Sequence, residues 1–224
     1  MSDSGVQYWS LTDHDTISGW PVALKSASKY GIEFIPGVEI TCMPGVDSDA
    51  GELERHNLTR PSAAWHLLAY FPKNVISSPG IERFRKWLAP LGDGRIPRML
   101  TMIERLNDLG LSIDKEKVLQ RAGDSVGRPH LADEMVALGY VENRQQAFDD
   151  WIGDGKPANV ARVKPSIAEA SRMVKMCGGI TSLAHPLYYG VPSEKLATFC
   201  RSVGVDAIEC FHRSHPDSYR YQLW

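Results

Sequence analysis

The chain has 224 residues and 43% apolar content, enough for one large domain or one domain with an insertion. Its 25 basic and 27 acidic side chains leave a net charge of −2, which argues against wrapping duplex DNA by bulk electrostatics but leaves room for a nucleotide or short RNA end in a local basic pocket. Cys42, Cys177, Cys200 and Cys210 form no disulfide framework, no apolar run approaches the roughly 20 residues of a membrane helix, and "MSDSGVQ" lacks signal-peptide order, so the expectation is a soluble cytoplasmic protein, with no membrane partner and reduced thiols.

Residues 6–12, "VQYWSLT", read as a short strand. Residues 18–30 read as a helix capped by Ser18 and stopped at Gly31. Residues 32–41, "IEFIPGVEIT", form the next strand, and the Asp-, Gly- and Pro-rich stretch 43–62 reads as a loop. "AWHLLAYF" (64–71) is apolar at nearly every position, as a doubly covered parallel strand would be. From about 80 to 153 the pattern is helix after helix. One stops at Gly110, another at Gly123, a third begins at Pro129 and stops at Gly139, and a fourth is capped by Asn143. After 164 the order is helix, strand "GITSLAHP", helix, strand "VDAIECFH". Strand–helix alternation around a helical block predicts an α/β protein with a parallel barrel or sheet. The barrel portion covers residues 1–78 and 161–224, with a helical insertion over 79–160.

Several titratable residues fall near strand ends, which in parallel α/β folds lie on the functional face. They are His14 in "TDHDT", Glu39 in "GVEIT", His66 in "AWHLLAYF", His185 in "LAHP", and His212 and His215 after the last strand. Imidazoles with a carboxylate suit borderline divalent metals, and a glutamate offers one oxygen to each of two ions. Two such metals can hold a hydroxide and stabilise the leaving oxygen in phosphoryl transfer. Each residue also has a plainer reading. Asp13 or Asp15 suits a helix cap, His66 a hydrogen-bonded core residue, Glu39 a solvated strand end and His56 a surface residue.

The motifs "LTDHDT", "PGVEIT", "HLLAYF", "GRPHLADEMVALGYV" and "LAHP" together resemble the PHP (polymerase and histidinol phosphatase) family. The branch they resemble contains stand-alone phosphatases of nucleoside 3′,5′-bisphosphates and enzymes that trim RNA from the 5′ end. The resemblance implies a distorted seven-stranded (β/α) barrel with a helical insertion. It also implies up to three Mn, Zn or Fe ions in complete members, and fewer here. By this likeness His14, Glu39, His66 and His185 are metal ligands. Glu39 is the bridging carboxylate, Glu39 and His14 belong to the catalytic centre, and a metal-bound hydroxide is the nucleophile. Asp13 would orient its neighbour. Arg128 and His130 of "GRPH" would contact the substrate phosphate, for which an arginine beside a helix start is independently suited, and His215, after the last strand, would face the substrate. The family's leading His-x-His strand and late Asp-x-His motif have no counterpart between Met1 and Trp224, so the expected barrel is incomplete. A degenerate domain that binds metal or nucleotide without turnover, and a metal-dependent carbon–nitrogen hydrolase, are the alternatives.

Overall fold

The computed structural model describes residues 5–122, 126–161 and 164–224. Its elements are β1 (Tyr8–Leu11), α1 (Trp20–Lys29), β2 (Glu33–Cys42), α2 (Ala50–Arg55), β3 (Trp65–Tyr70), α3 (Pro79–Asp93), α4 (Arg95–Asp108), α5 (Lys115–Ala122), α6 (Arg128–Ala137), α7 (Arg144–Ala147), α8 (Ile167–Met176), β4 (Ile180–Leu183), α9 (Ser193–Val203), β5 (Ala207–Ile208) and α10 (Asp217–Leu223). The chain divides into two compact units, residues 1–89 with 164–224, and residues 90–163. No helix among the described residues is long and apolar enough to cross a membrane.

The first unit is built on a five-stranded mixed sheet of order β1-β2-β3-β4-β5. β1 and β2 are parallel, and so are β4 and β5. β3 is antiparallel to both of its neighbours, which corrects the all-parallel expectation. The near-continuous apolar run in β3 does reflect burial, since Leu67 and Ala69 are fully buried on one face and Leu68 is buried on the other. Burial on both faces constrains composition and carries no information about strand direction.

Two local expectations also change. The stretch 43–62 contains α2, whose start is fixed by the Asp49 carboxylate accepting from Gly51 N (2.9 Å) and Glu52 N (3.2 Å). Ser18 does not cap α1. Gly19 holds the cap position without a side-chain bond, Pro21 follows in the first turn, and Ser18 N–H turns back to Thr16 Oγ1 at 3.2 Å. α8 has the full reciprocal cap: Glu169 N donates to Ser166 Oγ (3.2 Å) and Ser166 N to Glu169 Oε2 (2.8 Å).

The second unit is helical. Met99, Met102, Ile103 and Leu106 form the buried stripe of α4 and join Leu131, Ala132 and Met135 of α6 in one cluster. Asn143 caps α7 by accepting from Gln146 N at 3.0 Å. The helix expected to continue from it gives way to a wider π-type turn over Phe148–Ile152. α5 ends at Ala122, and the expected stop at Gly123 lies outside the described residues.

Candidate metal centre

The centre begins where β1 ends against β2. A Cβ on Gly37 would fall 2.2 Å from Ser10 Oγ and 2.9 Å from Thr12 Cγ2, so any other residue here would have to displace both side chains. The chain then bends, and His14 forms a parallel bridge with Glu39. Glu39 N donates to Asp13 O (3.1 Å) and Asp15 N to Glu39 O (3.0 Å). Asp15 adopts a φ of +56° and is 1% exposed. Its carboxylate accepts Thr41 N and Thr41 Oγ1, both at 2.7 Å. Asp15 is therefore a buried tie between the His14 bend and β2, a role that spacing alone did not reveal. Asp13 contributes its backbone carbonyl to the same bend.

β3 brings His66 alongside, paired in register with Thr41, two residues beyond Glu39. His66 N donates to Tyr189 Oη at 2.9 Å. β4 delivers His185 just past its end. There the backbone turns to φ +28°, ψ 57°, a region in which a residue with a side chain is strained. Two contacts hold the turn. His185 N donates to Glu209 Oε2 at 2.7 Å, and the 3₁₀ turn Pro186–Tyr189 follows directly. Glu209, at the end of β5, is a second positioning carboxylate. Its signal in the sequence was an acidic residue at a strand end, the same signal that marked Glu39.

These elements make three donor atoms converge. Glu39 Oε1 lies 3.0 Å from His66 Nδ1 and 3.0 Å from His185 Nε2, and the two nitrogens are 3.0 Å apart. The other carboxylate oxygen, Oε2, is 3.9 Å from His14 Nε2. Donor atoms of His14, Glu39 and His66 all lie within 4.8 Å of one another. The His14 and His66 rings meet edge-on at 4.7 Å.

The donor set fits a divalent metal. Ligand atoms about 2.1 Å from an ion and at right angles to one another are about 3.0 Å apart, the edge found here. Hydrogen bonds alone satisfy this triangle poorly. If both imidazoles donate to Oε1, their two N–H groups crowd each other at 3.0 Å, whereas one cation accepts all three lone pairs. Burial would raise the Glu39 pKa, but hydrogen bonds from His185 and His66 and the charges of His14 and His66 outweigh it. The carboxyl is held well below its ordinary range, in the form that ligates.

Of the residues the sequence marked, the structure brings together His14, Glu39, His66 and His185. His215 stands one ring away: its ring centroid is 5.2 Å from His212, which is 5.7 Å from His185. Arg128 and His130 belong to the helical unit. Arg128 opens α6, pairs with Asp154 Oδ1 at 2.8 Å and lies over the Phe148 ring at 5.4 Å. His130 Nδ1 accepts Gly127 N at 3.2 Å and closes the helix start. His56 is not a surface residue. Its side chain is 9% exposed, with Nε2 2.8 Å from the buried Glu52. α2 places residues 52 and 56 one turn apart, which the loop expectation concealed.

No family model matches the chain. It is 29% identical over 209 residues to a 5′-3′ exoribonuclease of Haemophilus influenzae, covering 92% of this chain and 68% of that protein. It is 25% identical over 223 residues to a 3′,5′-nucleoside bisphosphate phosphatase of Chromobacterium violaceum, covering 96% and 70%. A solved structure from Bifidobacterium adolescentis, named as a candidate metal-dependent phosphoesterase, superposes with a TM-score of 0.71 at 28% identity, covering 99% of this chain and 72% of that one. These relatives share one chemical class, and with the α/β fold they suggest a PHP-like phosphoesterase family for this chain.

Proposed function

We propose that this chain is a metal-dependent phosphoesterase that removes phosphate from nucleoside 3′,5′-bisphosphates or acts on short RNA from the 5′ end. The observation that carries the reading is the 3.0 Å triangle of Glu39 Oε1, His66 Nδ1 and His185 Nε2, with Glu39 Oε2 turned toward His14. The names of the relatives support the choice of phosphate esters over carbon–nitrogen bonds. The finer architecture in this reading is an incomplete distorted (β/α) barrel of residues 1–78 and 161–224, with residues 79–160 as its helical insertion.

Glu39, His66 and His185 would hold one ion of the Mn, Zn or Fe type, and His14, beside the other Glu39 oxygen, would ligate a second. A divalent metal bound there supplies Lewis-acid stabilisation of the phosphoryl oxygens and a water made nucleophilic near neutral pH. Glu39 stays ionised and sets the orientation of both imidazoles. Asp15 and Glu209 fix the backbones of His14 and His185. Arg128 and His130 receive the substrate phosphate, a role that suits a guanidinium at a helix start, and His215 faces the substrate.

The test is release of inorganic phosphate from adenosine 3′,5′-bisphosphate, and of mononucleotides from a short 5′-phosphorylated RNA, with Mn²⁺, Zn²⁺ or Fe²⁺ added. Turnover should depend on the metal and stop with EDTA, and Glu39→Gln should lower kcat/KM by about 10³-fold. Failure of every metal to support hydrolysis of either substrate rejects the reading.

A further inference from the structure

Beside the metal centre, within the sheet-bearing unit, lies a cavity of about 490 Å³ between α2 and α10. Arg55, His56, Arg213, Ser214, His215 and Ser218 supply its polar lining, and Leu187, two residues beyond His185, forms part of its wall. The 3₁₀ turn that carries the ligand histidine thus separates the cavity from the metal centre.

The charges around this cavity do not cancel. Glu52 is matched by Arg55 and His56, and Asp217 by Arg220. Arg213 is exposed and pairs with no carboxylate among the described residues. The loop that carries it is well fixed. His212 Nδ1 accepts Ser214 N at 3.3 Å, and Tyr188 Oη donates to Ser214 Oγ at 2.5 Å. His215 Nδ1 donates to the Cys210 carbonyl, 3.0 Å away, which ties its ring to the same loop. A polar lining and an unmatched guanidinium on a fixed loop describe a site built for an anion. A phosphate is such a ligand.

We infer that this cavity receives the second, non-reacting phosphate of a two-phosphate substrate, with Arg213 as its principal cation. The inference rests on the phosphoesterase reading above and extends it from the reacting end of the substrate to the far end. His212 and His215 link the two places, since their rings stand in sequence between His185 and the cavity. Discrimination between one phosphate and two then resides in the His212–His215 loop, outside the metal ligands.

The experiment measures equilibrium binding of adenosine 3′,5′-bisphosphate, adenosine 3′-phosphate and adenosine 5′-phosphate in EDTA, for the full chain and for Arg213→Gln and Arg213→Lys. The full chain should bind the bisphosphate at least about tenfold more tightly than either monophosphate, as expected for one added charge-assisted contact. Arg213→Gln should erase that advantage and Arg213→Lys should restore part of it, both with an unchanged melting temperature. The inference is overturned if the full chain shows no preference, if the preference survives in Arg213→Gln, or if all three ligands weaken equally. Turnover with Mn²⁺ then judges the enzyme separately. A full chain that prefers the bisphosphate but hydrolyses nothing sinks the phosphoesterase reading and keeps the cavity assignment.

Discussion

Two carboxylates in the same unit, Glu39 and Glu52, are each surrounded by cationic or potentially cationic side chains, and they come to opposite ends. Glu52 is 2% exposed and paired with Arg55 and His56, three and four residues further along the same helix. Each partner there has a matching oxygen, so the cluster is complete. Glu39 has 16% of its side chain exposed and gathers His14, His66 and His185 from a bend, another strand and a strained turn. Its Oε1 is approached by two nitrogens that also crowd each other. A local cluster satisfies itself, whereas a cluster assembled from distant segments leaves donor atoms directed at a common point. The second kind is the one that needs an ion.

Substitutions can break this contrast, beginning with the largest effect. Glu39→Gln should remove activity by the margin given above, and the lost charge should also cost some stability in the metal-free chain, because the imidazoles hold Glu39 ionised. Glu52→Gln should cost stability alone. Removing one charge from a buried pair leaves His56 and Arg55 unmatched, and with Arg55 half-exposed the cost should be about 2–3 kcal/mol. Urea denaturation reads the loss, and turnover per folded molecule should stay within about twofold. If Glu52→Gln abolishes turnover at full stability, the two clusters are not distinct.

Asp15→Asn sharpens the contrast from the side of the support. The amide keeps an acceptor for Thr41 N but loses the charge and the second acceptor, so the Thr41 hydroxyl must turn from donor to acceptor and the tie to the bend that presents His14 weakens. Metal affinity should fall about 10- to 100-fold, measured by competition with a chromogenic chelator. An unchanged affinity would show that Asp15 serves folding alone.

The smallest effect belongs to Asp206, a carboxylate that joins α8, β4 and β5 away from both clusters. Burial would raise its pKa, but Lys175 and the Thr181 N–H and Oγ–H, each at 2.9 Å, outweigh that and lower it. A carboxyl lowered on folding stabilises above its unfolded pKa of about 4 and loses that contribution as pH falls through the folded value. Asp206→Asn should therefore cost about 1 kcal/mol at pH 7 and nothing well below pH 3. A penalty that persists at low pH would show that packing, not charge, holds the strands.

Chemistry was more legible in the sequence than direction. His14, Glu39, His66 and His185 stand out because charged or ionisable side chains at strand ends interrupt long apolar runs, and a strand end is recognisable from composition. The antiparallel setting of β3 is not, because a strand buried on both faces has the same apolar pattern whichever way it runs. α2 escaped because its six residues carry too little periodicity to compete with the Asp and Gly around them. Asp15 escaped for a different reason. Its adjacency to His14 invited a capping role, and its actual partner, Thr41, lies 26 residues away. Glu209 carried the strand-end signal that marked Glu39 but follows a strand of only two residues, and Arg213 is a single cation in the loop beyond, where nothing local distinguishes it from ordinary surface charge.

The turn at His185 has an evolutionary consequence. At φ +28° glycine would sit more comfortably than histidine, so the imidazole is kept against the backbone's own preference. Selection for thermal robustness alone would drift this position toward glycine, and the proposed ligand role of His185 would oppose that drift. On that proposal, lineages that cease to need the centre should be the first to relax the turn.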